Sequence, residues 1–315
     1  MPRARKTVAA VSLLAVGAAA PATRTAEPYA APAPGPALSS TTLDARYRAA
    51  GRDIGRALAT AERLHDEDRT PALSAFLAPA RRFLAFDPRG GGRAVEVIGD
   101  LEHADRIAVV VPGADNTLAN YDSPKFAGGG GHALYLAARA AAPRARFAVI
   151  AWLGYDSPST VSASVLTDDS AADGARSLRT LLAGVHRVNG HARFALLCHS
   201  YGSVVCAKAA PRLTPLPVDD IALFGSPGTT NDKAADLGTS ARVWAGRSKG
   251  DWMRFVPNVR LTGVGFGADP VSPAFGALRF DAGTGPHSAY LKPGTRALRN
   301  LSLIALGRTA EVSRA

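Results

Sequence analysis

The sequence predicts an α/β fold: a mostly parallel central sheet flanked by helices, with a helical segment ahead of it. Three observations carry this. Short continuous apolar runs at 107–111, 147–152 and 194–198 read as strands buried on both faces. Longer amphipathic stretches, such as 170–188, separate them with helical periodicity. Strand and helix alternate at a spacing that calls for crossover connections, and so for parallel strands.

The elements follow in order. Residues 1–26 read as a secretory signal: Arg3, Arg5 and Lys6 precede an uncharged apolar stretch at 8–20 that is short for a bilayer span. Cleavage fits after Ala20 or Ala26, and an uncleaved anchor is the alternative; either places the protein outside the cell or at its surface. Arg3 and Arg5 are not adjacent, and no Cys lies near, so neither a twin-arginine signal nor a lipoprotein anchor is expected. Residues 27–42 are Pro- and Ala-rich, which predicts a linker. Residues 43–80 form an N-terminal helical segment. Its first helix, 43–64, has Leu43, Tyr47, Ile54, Leu58 and Leu64 on the expected apolar face, and its second spans about 71–77.

Residues 81–315 read as one catalytic domain. Strands at 82–88 and 93–99 flank the turn Gly90-Gly91-Gly92. Strands at 107–111, 147–152, 194–198, 221–224, 241–244 and 278–280 follow, with helices at 132–142, 170–188, 202–210 and 298–306. The run Gly128-Gly129-Gly130-Gly131 lacks the Lys and Ser/Thr of a phosphate-binding loop and predicts a flexible loop. Asp168, Asp169 and Asp173 read as acids favoured at a helix N-terminus rather than as a cation site. Trp152 to Tyr155 suit either a pocket mouth or packing at the sheet edge. Asp156 suits either a polar substrate contact or a turn.

The net charge is +11 and the pI about 10.2, but the arginines are scattered singly, with no run of five or six basic residues. No nucleic-acid partner is expected; transient contact with a membrane surface is compatible with the charge. No His, Cys or carboxylate spacing suggests a metal site. Cys198 and Cys206 are the only cysteines. They fall on a strand and the next helix, where the Cα separation of under about 7 Å needed for a bridge looks marginal, so buried free thiols are expected.

The chemistry centres on Leu197-Cys198-His199-Ser200-Tyr201-Gly202, between a buried strand and a helix. In a nucleophile elbow the chain turns sharply there and exposes the serine, and small residues two before and two after it let the backbones approach. Gly202 meets that need; Cys198 stands where Gly is usual. A serine hydroxyl needs a base, and His287 is the only histidine after Ser200. Asp251, after the strand at 241–244, is the preferred acid, with Asp269 as the alternative. An oxyanion needs two preorganised N–H donors. Tyr201, after the nucleophile, supplies one; Ala114, in the loop after 107–111, supplies the other, with Asp115 as the alternative.

Six collinear segments extend this pattern: 84–88 (LAFDP), 110–113 (VVPG), 152–158 (WLGYDSP), 199–203 (HSYGS), 223–228 (LFGSPG) and 285–290 (GPHSAY). Together, over about residues 80–307, they resemble an actinobacterial group of α/β-hydrolases long catalogued as a domain of unknown function. The resemblance implies a Ser200–Asp251–His287 triad and no cofactor. Two positions depart from the group's pattern: Cys198 replaces Gly, and Asp251-Trp252 replaces Asp-Pro. The expected activity is a secreted serine esterase acting on a small-molecule or lipid ester. Peptidase, thioesterase or acyltransferase chemistry would use the same residues, and a catalytically silent exported binding protein is the reading from another class.

Overall fold

The computed structural model describes residues 27–161, 169–258 and 265–315; the expected signal segment and Asp168 lie outside them. Eight strands form one sheet in the order β1-β2-β4-β3-β5-β6-β7-β8. These are β1 (Arg82–Asp87), β2 (Arg93–Gly99), β3 (Arg106–Val111), β4 (Phe147–Leu153), β5 (Arg193–His199), β6 (Val218–Phe224), β7 (Arg242–Gly246) and β8 (Leu278–Arg279). β2 runs antiparallel to both β1 and β4; from β4 to β8 every pairing is parallel. Residues 107–111, 147–153 and 194–198 are all buried. The β-branched and apolar runs therefore became central strands because crossover helices cover both faces of a parallel sheet.

The helices are α1 (Leu43–Leu64), α2 (Arg69–Phe76), α3 (Ala127–Ala141), α4 (Asp169–Val188), α5 (Gly202–Ala209) and α6 (Arg296–Ala305). α1 has the expected bounds, but its buried stripe is Leu43, Ala50, Asp53, Ile54, Ala57 and Ala61. Leu64, placed on the apolar face by periodicity, is exposed beside the left-handed residue His65 that ends the helix. Residues 27–42 have no regular structure before the single turn at Ser40–Thr42, yet they are docked. Tyr29 is buried, its hydroxyl donating to Asp66 at 2.7 Å, and Arg46 reaches back to the Pro36 carbonyl at 2.9 Å.

The glycine run at 128–131 corrects the expected loop: it is the first turn of α3. A Cβ on Gly129 would lie 2.4 Å from the Asp122 carbonyl oxygen and 2.6 Å from that of Ser123. Close approach, not flexibility, explains the glycines: backbone at Gly129, and the side chains of Tyr121, Leu291 and Ala151 at Gly128, Gly130 and Gly131. Gly129→Ala should therefore cost about 1–3 kcal/mol by overpacking, although Ala is the better helix former by about 1 kcal/mol. Leu136→Ala, at an exposed position of the same helix, should stay within about 0.5 kcal/mol. Urea denaturation of the two variants checks this, and a stabilised Gly129→Ala would refute the packing explanation.

Candidate active site

Ser200 sits between β5 and α5 with φ 52°. That is the left-handed region, which non-glycine residues rarely adopt. Its N–H donates to the Phe224 carbonyl at the end of β6 (2.9 Å), and its carbonyl accepts from Ser203 N–H at the start of α5 (2.9 Å). The reversal brings α5 close against the end of β3. A Cβ on Gly202 would lie 2.6 Å from the carbonyl oxygens of Val111 and Pro112. One on Gly113 would lie 2.7 Å from the Ser200 Cβ. Both positions admit only glycine.

The two cysteines are joined, which corrects the expectation of free thiols: Cys198 and Cys206 form a disulfide with their Cα atoms 6.4 Å apart. The eight-residue separation looked marginal only on the assumption that strand and helix diverge. The elbow folds α5 back alongside β5, so the helix returns to the strand it came from. Cys198 thus replaces the usual glycine without crowding the turn, because its side chain is directed into the bond with α5.

Ser200 Oγ lies 3.0 Å from Nε2 of His287. Nδ1 of His287 lies 2.9 and 3.0 Å from the two carboxylate oxygens of Asp251. Asp251 is fully buried and also accepts from the Met253 N–H at 2.8 Å and the Tyr290 hydroxyl at 2.5 Å. Burial alone would raise its pKa; the hydrogen bond and charge of His287, with the Tyr290 and Met253 donors, outweigh it and hold the carboxyl below its ordinary range. Asp269, the alternative acid, is instead paired with Arg247 at 2.7 Å.

The loop after β3 is pinned from one side. The Gly113 carbonyl accepts from the hydroxyls of Ser157 (2.8 Å) and Tyr155 (3.1 Å) and from the Asn116 amide (3.3 Å). In a planar trans peptide the C=O and the following N–H point oppositely, so the Ala114 N–H is aimed away from those anchors. The Asp115 N–H is taken by the Pro158 carbonyl at 2.9 Å. Trp152 and Tyr155 are both buried and stack in series with Tyr201, at 5.6 and 6.4 Å between ring centroids. They brace the loop and elbow from behind rather than opening a pocket mouth. Asp156 pairs with Arg93 at 2.6 Å, Asp173 pairs with Arg176, and Asp169 lies in the first turn of α4. Among the described residues no cluster of His, Cys, Asp and Glu is placed to hold a metal ion.

Two side chains at the site received no role from the sequence. Tyr290, three residues after His287, donates to Asp251 and accepts from the Ser248 N–H at 3.0 Å. His199, one before Ser200, packs its ring 4.8 Å from that of His287, and its Nε2 lies 3.1 Å from the His287 carbonyl oxygen. That carbonyl can only accept, so Nε2 carries the proton and His199 is the donor. Burial, reinforced by the neighbouring His287, pushes the His199 pKa down to about 3. Both residues lie within motifs visible in the sequence; what was missing was the loop geometry that folds residue 287 over residue 199.

A mostly parallel sheet, a serine on a left-handed elbow after its central strand, and a histidine and aspartate beyond later strands define an α/β hydrolase. The chain belongs to the alpha/beta hydrolase family, whose model matches residues 87–261. That stretch contains Ser200 and Asp251 and ends before His287. The uncharacterized protein Rv2079 of Mycobacterium tuberculosis is 32% identical over 261 residues, covering 71% of this chain and 39% of its own. The uncharacterized protein Mb0988c of Mycobacterium bovis is 37% identical over 161 residues, covering 49% and 59% respectively. The chain thus spans less than two thirds of the length of these relatives. Among solved structures, an α/β serine hydrolase without a lid from Xanthomonas campestris is similar at 16% identity, covering 73% of this chain and 95% of that one, with a TM-score of 0.43. Esterase PE8 is similar at 15% identity, covering 66% and 95%, with a TM-score of 0.46.

Two outcomes are expected. Alkylation of the denatured, unreduced protein should modify neither cysteine, and alkylation after reduction both; mass spectrometry reads the difference. His199 binds its proton less readily folded than unfolded, where its pKa is about 6.5. The unfolded chain therefore carries the extra proton between about pH 6.5 and 3, and folding stability falls as pH falls through that window. His199→Gln should flatten the dependence by up to one proton in denaturant titrations; an unchanged slope would remove His199 as its source.

Proposed function

We propose that this hydrolase cleaves carboxylic esters through an acyl-enzyme on Ser200. The observation that carries the reading is the unbroken chain of hydrogen bonds from Ser200 Oγ through His287 to the buried Asp251. In the proposed reaction Ser200 Oγ attacks the ester carbonyl while His287 Nε2 takes its proton. Asp251, at Nδ1, holds the tautomer that leaves Nε2 free to accept and then stabilises the imidazolium. The N–H groups of Tyr201 and Ala114 receive the oxyanion. His287 returns the proton to the leaving alcohol, and water, activated by the same base, releases the acid and restores Ser200.

The pinned Gly113 carbonyl and the contact of Gly113 with Ser200 support Ala114 as the second donor. The engagement of the Asp115 N–H elsewhere argues against the alternative. The N-terminal segment supports action outside the cytoplasm, on a small-molecule or lipid ester.

Hydrolysis of a panel of soluble p-nitrophenyl esters graded by acyl length tests the reading and ranks the substrates. Asp251→Asn should lower kcat by about 10³–10⁴-fold, as loss of the orienting carboxylate does in related chemistry, while Asp269→Asn, which breaks only an ion pair with Arg247, should stay near wild type. The reverse order would move the acid role to Asp269, and full activity in Ser200→Ala would dismiss the mechanism.

A further inference from the structure

We propose that the turn Trp252–Phe255 docks the enzyme on an anionic lipid–water interface and presents esters held there to Ser200. The proposal rests on the esterase reading above and deepens it by naming the physical form of the substrate. The turn follows Asp251 directly and is fastened from below: Met253 is buried and its N–H is held by the Asp251 carboxylate. Its other side chains point outward. Trp252 is 51% and Phe255 77% exposed. A single exposed apolar residue needs no explanation. Two large aromatics on one anchored four-residue turn, one of them with its ring centroid 5.1 Å from that of His287, form a patch at the edge of the reaction centre.

The charges around the patch decide its partner. Between residues 247 and 258 the charged groups are Arg247, Lys249, Asp251 and Arg254. Asp251 is buried and Arg247 is paired with Asp269. Within that stretch the charges left facing solvent are Lys249 and Arg254, both positive; Asp281, an acid close enough to feel Lys249, is itself paired with Arg296. The Arg254 guanidinium lies over the Phe255 ring at 5.1 Å and is steadied by the Lys249 carbonyl at 2.9 Å. Exposed Trp and Phe interleaved with Lys and Arg are the composition of a membrane-surface contact. The rings enter the headgroup boundary and the cations meet lipid phosphates. A folded protein partner fits less well: a stable interface covers about 800 Å² on each side, an aromatic buries about 150–250 Å² when wholly covered, and these two are already partly covered. A lipid surface demands no such complementary area.

The test uses the full chain carrying Ser200→Ala, so that nothing is consumed, sedimented with vesicles of phosphatidylcholine alone or mixed with phosphatidylglycerol. Binding is expected to the mixed vesicles, to weaken with salt, and to fall about fivefold or more on adding Phe255→Asp or Arg254→Gln. In the chain with Ser200 intact, Phe255→Ala should hydrolyse a soluble ester within about twofold of wild type but lose most activity on the same acyl group in vesicles. No binding to mixed vesicles would overturn the proposal. So would equal binding to neutral ones, or binding unchanged by Phe255→Asp. Vesicle binding by a chain that turns over no ester would leave the docking surface standing and refute the esterase reading, so the two failures are told apart.

Discussion

The backbone of Ser200 is the constraint around which the site is arranged. Holding a serine at φ 52° costs on the order of 1–3 kcal/mol, and the surrounding structure must impose it. The Phe224 carbonyl holds the Ser200 N–H, α5 begins at once after Tyr201, and glycines at 113 and 202 allow β3 and α5 to close on the turn. The Cys198–Cys206 disulfide adds a covalent tie between the strand that enters the elbow and the helix that leaves it. Every other feature of the site takes its position from this reversal: the loop after β3 lies against it, and His287 reaches its hydroxyl from above.

Electrostatics then divides the labour among the groups around it. Asp251 is buried yet held ionised, because His287, Tyr290 and Met253 all donate to it. A carboxylate so satisfied is fixed in orientation against Nδ1 of His287. His199 lies on the other side of His287, uncharged by reason of its burial. It adds a hydrogen bond to the His287 backbone without placing a positive charge beside the His287 ring. The same pair of loops carries Tyr290 inward and Trp252 outward, so the loop that begins at Asp251 faces His287 on one side and meets solvent on the other.

Much of this was legible in the sequence, for identifiable reasons. The central strands announce themselves as unbroken apolar runs because both sheet faces are covered. Ser200 and His287 stand out because an elbow has strict local demands and no other histidine follows it. Asp251 was separable from Asp269 only in part, since a turn aspartate and a buried acid look alike until the ion pair of Asp269 with Arg247 is seen. The failures share one cause. The disulfide, the helical glycines at 128–131 and the docked segment at 27–42 all depend on approach between segments distant in the fold. Composition alone does not report such approach: glycine permits flexibility and close packing equally, and proline-rich chain can be either free or fastened. His199 and Tyr290 were missed for the same reason, their partners being set by how the loop at 285–290 folds over β5.

The central claim is that Ser200 is an activated nucleophile. Incubation of the folded protein with a fluorophosphonate, followed by peptide mass spectrometry, tests it most directly. A single phosphonyl adduct is expected on Ser200, formed at a rate that collapses when His287 is replaced by Ala. An adduct on another residue, or none on folded protein, would contradict it.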